Sequence, residues 1–327
     1  MIIDTLTSPI ILFFVLGLID GFARSDLAIP EAMAKAMAIY LMAAIGLKGG
    51  VAVADSGFSG ALGTAAAAGI MLSLLLPLPA FALLRRVGRL DAANAGAVAA
   101  HYGSVSLVTF ITAMEMLAGV GLPAPAHMVA VLAGMETPAI ISGLTLARRY
   151  ARNAGAAGSG PANAVTPGGG IVHEVLLNGS VVLLIGAFAI GLIAGADGFA
   201  PVKPVFDGGY RGILCLFLLD MGLIAARRLS QTRALTARLA MLAIALPLIN
   251  GTIGVVVGSV IGLDVASAAI LGILAASASY IAVPAAMRLA LPEADPGIYL
   301  SMSLGLTFPF NIMVGIPLLV AFARVLG

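Results

Sequence analysis

The sequence predicts an all-α polytopic membrane protein with ten transmembrane helices, arranged as two inverted five-helix repeats with crossed, broken helices. Three observations lead there. The first is composition: of 327 residues, 61% are hydrophobic and 10% charged, and mean hydropathy is +1.11. Apolar stretches of about 20 residues at that density read as membrane helices, not a soluble core. The second is a pair of small, polar interruptions in apolar runs: Ala99-Ala100-His101-Tyr102-Gly103-Ser104-Val105-Ser106 and Ala275-Ala276-Ser277-Ala278-Ser279-Tyr280-Ile281-Ala282-Val283-Pro284. At an offset of 176 residues, Gly96, Ala99 and Ala100 fall on Gly272, Ala275 and Ala276. The third is the placement of basic residues, taken up below.

Apolar periodicity, punctuated by Gly, Pro and charge, places spans near 8–23, 30–50, 58–84, 91–120, 124–149, 171–196, 205–226, 235–262, 265–290 and 297–325. The fourth and ninth carry the breaks. Tyr150 to Gly170 is a small-residue linker with little to bury. It divides the chain into a first five-span repeat (1–150), a linker (151–170) and a second, inverted five-span repeat (171–327). The halves match elsewhere too. Gly17-Leu18-Ile19-Asp20-Gly21 aligns with Gly191-Leu192-Ile193-Ala194-Gly195, Gly46-Leu47 with Gly222-Leu223, and Gly134-Met135-Glu136-Thr137-Pro138 with Gly305-Leu306-Thr307-Phe308-Pro309. The shared order argues for an internal repeat.

An odd number of spans per half turns the second half upside down. With ten spans, one side holds Arg24, Lys35, Arg85, Arg86, Arg89, Arg148, Arg149, Arg152, Arg227, Arg228, Arg233, Arg238 and Arg288, thirteen of the 17 basic residues. The other side, with both termini, holds Lys48, Lys203, Arg211 and Arg324. The positive-inside rule then puts both termini outside and the linker in the cytoplasm.

Composition also excludes. A net charge of +2 leaves no nucleic-acid footprint. The single Cys215 allows no intramolecular disulfide. The short alternating strands of a membrane barrel are absent. The first apolar segment lacks a basic n-region and a clear cleavage site, and reads as a retained helix. No His-Glu-x-x-His, Walker or dinucleotide motif appears. Gly103-Ser104 has no base in a persuasive place for a serine nucleophile, so no enzyme and no cofactor beyond a coupling ion are expected.

Two breaks in matching places of two halves mark a transporter's binding site. A helix broken in mid-membrane is tolerated only where protein or a watery cavity surrounds it. Ser104 and Ser106 suit the cap of one new half-helix, and Pro284 the first turn of the other. Crossed breaks would bring two half-helix N-termini together, a site for a small anion. The preceding halves would offer free carbonyls to a hard cation such as sodium. The competing reading is a pair of small-residue packing faces.

The anion is placed at Tyr102, Gly103, Ser104, Val105, Ser106, Tyr280 and Ile281. The sodium set is Thr109, Glu136, Thr137, Ser277, Ser279 and Asn311, whose oxygens lie near the breaks; no transition metal is expected. Intramembrane carboxylates are costly and usually functional, which favours Glu136. Asp220 serves gating, structural pairing or ion binding. Glu115 and Glu174 near span ends read as interfacially solvated, Asn250 as an interhelical hydrogen bond, and His101 as a core or capping histidine.

Several stretches carry a family resemblance. They are Ser8-Pro9-Ile10-Ile11-Leu12-Phe13-Phe14-Val15-Leu16-Gly17, Arg24-Ser25-Asp26-Leu27-Ala28-Ile29-Pro30-Glu31, Ile45-Gly46-Leu47-Lys48-Gly49-Gly50, His101 to Ser106, Asn178-Gly179-Ser180-Val181-Val182-Leu183-Leu184, Ser277 to Pro284 and Phe308-Pro309-Phe310-Asn311. Together they resemble the sodium-dependent bicarbonate transporter family, SbtA type, over nearly the whole chain. The resemblance implies a sodium/bicarbonate symporter of the bacterial inner membrane. It also implies gate and core parts, the core holding the crossed helices, a homotrimer, and a PII-like regulatory protein of SbtB type on the cytoplasmic face. The alternatives are a sodium symporter for another small anion on the same fold, and a non-transporting membrane sensor or scaffold.

Overall fold

The computed structural model describes residues 7–57, 60–125, 127–153, 179–231 and 235–327. The linker from 154 to 170 and the predicted start of the sixth span, 171–178, with His173, Glu174 and Asn178, lie outside the described residues. Among those described, every regular element is helical.

Helix α1 (Pro9–Ala23) starts at Ser8, whose hydroxyl accepts the Ile11 N–H, with Pro9 in its first turn; it stops where Arg24 turns left-handed at φ 58°. Helix α2 (Glu31–Ser56) ends at Gly57, φ 75°, a backbone region open to glycine. Helices α3 (Gly60–Leu75) and α4 (Pro77–Arg86) meet at Leu76–Pro77. Helix α5 (Ala92–Gly103) is capped by Asp91, and α6 (Leu107–Gly119) by Ser106. Helices α7 (Met128–Glu136) and α8 (Pro138–Asn153) divide at Thr137. Then follow α9 (Gly179–Phe199), a π-helical turn Pro204–Gly208, and α10 (Tyr210–Gln231). Thr236 caps α11 (Ala237–Val260) and Asp264 caps α12 (Val265–Ala276). Helix α13 spans Ala282–Ala290. The last helix, α14 (Pro296–Leu326), widens to π-helical turns at Ser301–Thr307 and Asn311–Gly315.

Among the described residues, seven stretches are long and apolar enough to cross a membrane: Glu31–Asp55, Gly60–Arg86, Ala92–Gly119, Met128–Tyr150, Val182–Phe199, Ala237–Val260 and Pro296–Leu326. Helices α1 and α12 are apolar but shorter. The molecule is therefore a polytopic membrane protein, all-helical among the described residues.

The helices sort into two bundles. In one, α2 lies along α9, α1 lies along α10, and α10 also touches α2. Glycines set these close crossings. A Cβ on Gly17 would enter the Leu219 carbonyl, and one on Gly222 the Phe14 carbonyl. The same happens between α2 and α9, where Gly191 meets Leu47 and Gly46 meets Leu184 and Ala187. Close backbone approach of this kind is how membrane helices gain packing without a hydrophobic drive. The second bundle holds α3 to α8 and α11 to α14. The two meet where α10 packs on the π-helical turns Ser301–Thr307 of α14, where α2 and α9 flank α7, and where Phe14 meets Phe308 edge-on at 5.3 Å.

Candidate functional site at the crossed helix breaks

The two polar interruptions are helix breaks, and they touch. Residues 104–106 separate α5 from α6, and residues 277–281 separate α12 from α13. The Ser106 N–H donates to Ser277 Oγ at 2.9 Å, and the Ser279 N–H to the His101 carbonyl at 2.9 Å. Ser277 Oγ in turn donates to the Leu274 carbonyl at 2.7 Å. Each break thus satisfies backbone groups of the other, as membrane burial requires.

The capping differs in detail from expectation. Ser106 alone caps α6, accepting from the Thr109 N–H at 3.2 Å and the Thr109 hydroxyl at 3.0 Å. Ser104 instead closes the end of α5, and its hydroxyl donates to the Glu136 carbonyl at 2.9 Å. Ile281 starts α13 without a side-chain cap; Ser279 Oγ receives the Val283 N–H at 3.4 Å, and Pro284 occupies the first turn. The expectation of free carbonyls at the ends of α5 and α12 also needs correcting. Asn250 Nδ2 donates to the Tyr102 carbonyl at 3.0 Å, and Asn311 Nδ2 to the Ala276 carbonyl at 2.9 Å. What remains for a cation is the other end of each amide: Oδ1 of Asn250 and of Asn311 is buried without a hydrogen-bond partner among the described residues.

A third interruption brings Glu136 to the site. Ser73 Oγ donates to the Met135 carbonyl at 2.6 Å and accepts the Ala139 N–H at 3.1 Å. It thereby sits inside the hydrogen bond those two backbone groups would form in an unbroken helix, a recognised cause of kinks. Pro138 lacks an N–H, and the Ile140 N–H turns to the Thr137 carbonyl at 3.1 Å. The Glu136 carbonyl is released, and Ser104 takes it. A similar logic runs behind the other break. Pro247 inside α11 has no N–H to give the Ala243 carbonyl. Thr307 donates to that carbonyl at 2.6 Å, so Thr307 accepts from Tyr102, whose hydroxyl lies 2.6 Å away.

A cavity of about 20 Å³ opens between the bundles at these breaks. That exceeds the ~10–15 Å³ one water needs. Its walls are Val105, Ser106, Leu107, Ser279, Tyr280, Ile281 and Glu136 from the breaks, with Met42 from α2, Leu132 from α7 and Leu184 from α9. The first N–H groups of a helix have no acceptor within it. At α6 the Thr109 N–H is taken by Ser106, which leaves those of Leu107 and Val108. The cavity has no Lys or Arg in its wall, and no group of three His, Cys, Asp or Glu fit to hold a metal ion occurs among the described residues.

A family model described as the Na+-dependent bicarbonate transporter superfamily matches residues 9–324. The chain belongs to that superfamily. No curated relative matches it. The superfamily is one of sodium-dependent bicarbonate transporters, so the chain is a membrane transport protein by kinship, with bicarbonate and sodium as the family's substrates.

Of the anion set, the structure places Val105, Ser106, Tyr280 and Ile281 on the cavity wall, with Glu136 and Ser279 of the sodium set. Tyr102, Ser104, Thr109, Ser277 and Asn311 stand behind that wall in the hydrogen bonds described. Thr137 lines a separate apolar crevice with Ile70, Pro138 and Phe188. Gly103 faces away from the cavity: a Cβ there would meet Pro77 Cγ and Ala139 Cβ. Sequence reasoning missed Ser73, whose one signal is a hydroxyl inside an apolar run. It also missed Met42, Leu132 and Leu184, which carry no signal at all.

Proposed function

We propose that the protein is a sodium-dependent bicarbonate symporter of the bacterial inner membrane, working by alternating access. The observation that carries the reading is the mutual locking of the two breaks beside Glu136, at a cavity between two helix bundles. In this reading α1, α2, α9 and α10 form the gate and the remaining helices the core. Ten spans follow when α3–α4, α5–α6, α7–α8 and α12–α13 each cross as one unit. The crossing of Gly17 with α10 and that of Gly191 with α2 supports the inverted repeat, because these glycines are equivalent in the aligned halves. The basic asymmetry supports termini outside.

Bicarbonate would sit at the starts of α6 and α13, where backbone N–H groups and helix dipoles favour a small anion without a bidentate Arg. Sodium would take oxygens from Glu136, Ser279 and the neighbouring hydroxyl and amide groups, and its charge would offset that of the anion. The homotrimer and the PII-like regulator rest on the family resemblance alone. Uptake of labelled bicarbonate into proteoliposomes, with and without a sodium gradient, tests the reading. Sodium-dependent uptake is expected; uptake indifferent to sodium, or none, would overturn it.

A further inference from the structure

We infer that the ion pair between Glu115 and Arg211 is a latch that holds the two bundles together at one end of the molecule and must open for the opposite access state. This inference rests on the transporter reading above. Arg211 Nε lies 2.7 Å from Glu115 Oε2. Glu115 belongs to α6 in the second bundle, Arg211 to α10 in the first. Neither charge is well placed for its own helix. Glu115 lies one turn from the C-terminal end of α6, and Arg211 lies in the first turn of α10. A helix dipole favours the opposite sign at each position. Their pairing offsets both conflicts, and separation of the bundles gives up that compensation.

Arg211 stands on a braced mount. Lys48 of α2 pairs with Asp207 at 2.7 Å and lies 4.8 Å over the ring of Tyr210. Tyr40 stacks on Phe206 and donates to the Val205 carbonyl. These contacts join α2, the Pro204–Gly208 turn and the start of α10 into one body. Glu115 is tied to the cavity by its own helix, because α6 begins at Ser106 and Leu107 in the cavity wall. A shift of α6 at the site therefore moves Glu115 against a fixed Arg211.

The test places a cysteine at the cavity wall, Ile281→Cys in a Cys215→Ala background. An impermeant maleimide is applied to membrane vesicles from the face bearing Arg211. With the latch intact, alkylation is slow. Glu115→Gln and Arg211→Gln should each speed it by roughly two- to fivefold, the equilibrium equivalent of an exposed ion pair. The charge swap Glu115→Arg with Arg211→Glu should return it toward the parent rate, which also shows that the variants fold. Equal rates in all four proteins would overturn the latch. Sodium-driven bicarbonate uptake by the unsubstituted protein is measured separately. Its absence, with the alkylation shift present, would remove the transported-ion reading and leave the latch standing.

Discussion

Ser106 and Ser277 join the two broken helices through one hydrogen bond, from the backbone N–H of the first to the hydroxyl of the second, at 2.9 Å. Both residues are buried. Ser277→Ala leaves the Ser106 N–H without its acceptor, and an orphaned buried donor costs about 1–3 kcal/mol. The melting temperature of the purified protein should fall, and Ser277→Thr, which keeps the hydroxyl, should recover most of the loss. Equal melting of the Ala variant and the parent would sink the assignment.

Gly103→Ala should destabilise through packing rather than through ligand loss. The added methyl would meet Pro77 Cγ and Ala139 Cβ, and overpacking of this kind costs about 1–3 kcal/mol. Pro77→Ala removes one of the colliding groups, so the double variant should be more stable than the sum of the two singles. Strict additivity in thermal denaturation would place the Gly103 effect elsewhere.

These two cases show where the sequence was legible. The breaks could be read because small and polar residues interrupt two apolar runs, and because Gly96, Ala99 and Ala100 recur as Gly272, Ala275 and Ala276, 176 residues later. The cap at Ser106 follows from a short acceptor side chain ahead of an apolar run. The inward direction of Gly103 toward Pro77 could not be read, since it depends on how α4 crosses α5. Nor could the Ser73 insertion, where the hydroxyl acts on a helix more than 60 residues away. Met42 and Leu184 resemble their lipid-facing neighbours, and only the approach of the two bundles makes them cavity wall. Glu115, expected to be solvated at the interface, is paired with Arg211 across bundles, a contact of 96 residues in sequence separation.

The topology can be checked at two exposed loop positions, Lys203 and Glu293. The basic asymmetry puts Lys203 on the outer side and the Arg288 end of α13, with Glu293 beyond it, on the cytoplasmic side. In a Cys215→Ala background, an impermeant thiol reagent added to intact cells should label Lys203→Cys and spare Glu293→Cys. The reverse pattern would invert the topology.

Glu136→Gln should raise the sodium concentration needed for half-maximal uptake. The carboxylate lines the cavity, and no Lys or Arg stands there to balance it. An intramembrane carboxylate with no ion pair among the described residues is a functional group by default, and in the proposed symport a coupling cation would be its partner. The amide keeps the shape and removes the charge. A sodium curve that superimposes on the parent's in a folded variant would exclude Glu136 as a ligand.

Ser104→Ala should separate the proposed sodium site from the proposed bicarbonate site. The Ser104 hydroxyl donates to the Glu136 carbonyl, so its loss frees the backbone that carries the Glu136 side chain while leaving the N–H groups of α6 in place. One lost hydrogen bond is worth about 1 kcal/mol, or roughly fivefold in an equilibrium constant. That loss should fall first on sodium affinity. In the proposed symport, binding of the two ions is coupled, and coupling is reciprocal: sodium would strengthen anion binding by the factor that the anion strengthens sodium binding. Equilibrium titrations of the purified variant should therefore show weakened sodium binding in the absence of bicarbonate. Bicarbonate affinity should approach the parent value once sodium is saturating. Bicarbonate binding that stays weak at saturating sodium would mean that Ser104 holds the anion directly, and the separation of the two sites drawn from this hydrogen bond would not stand.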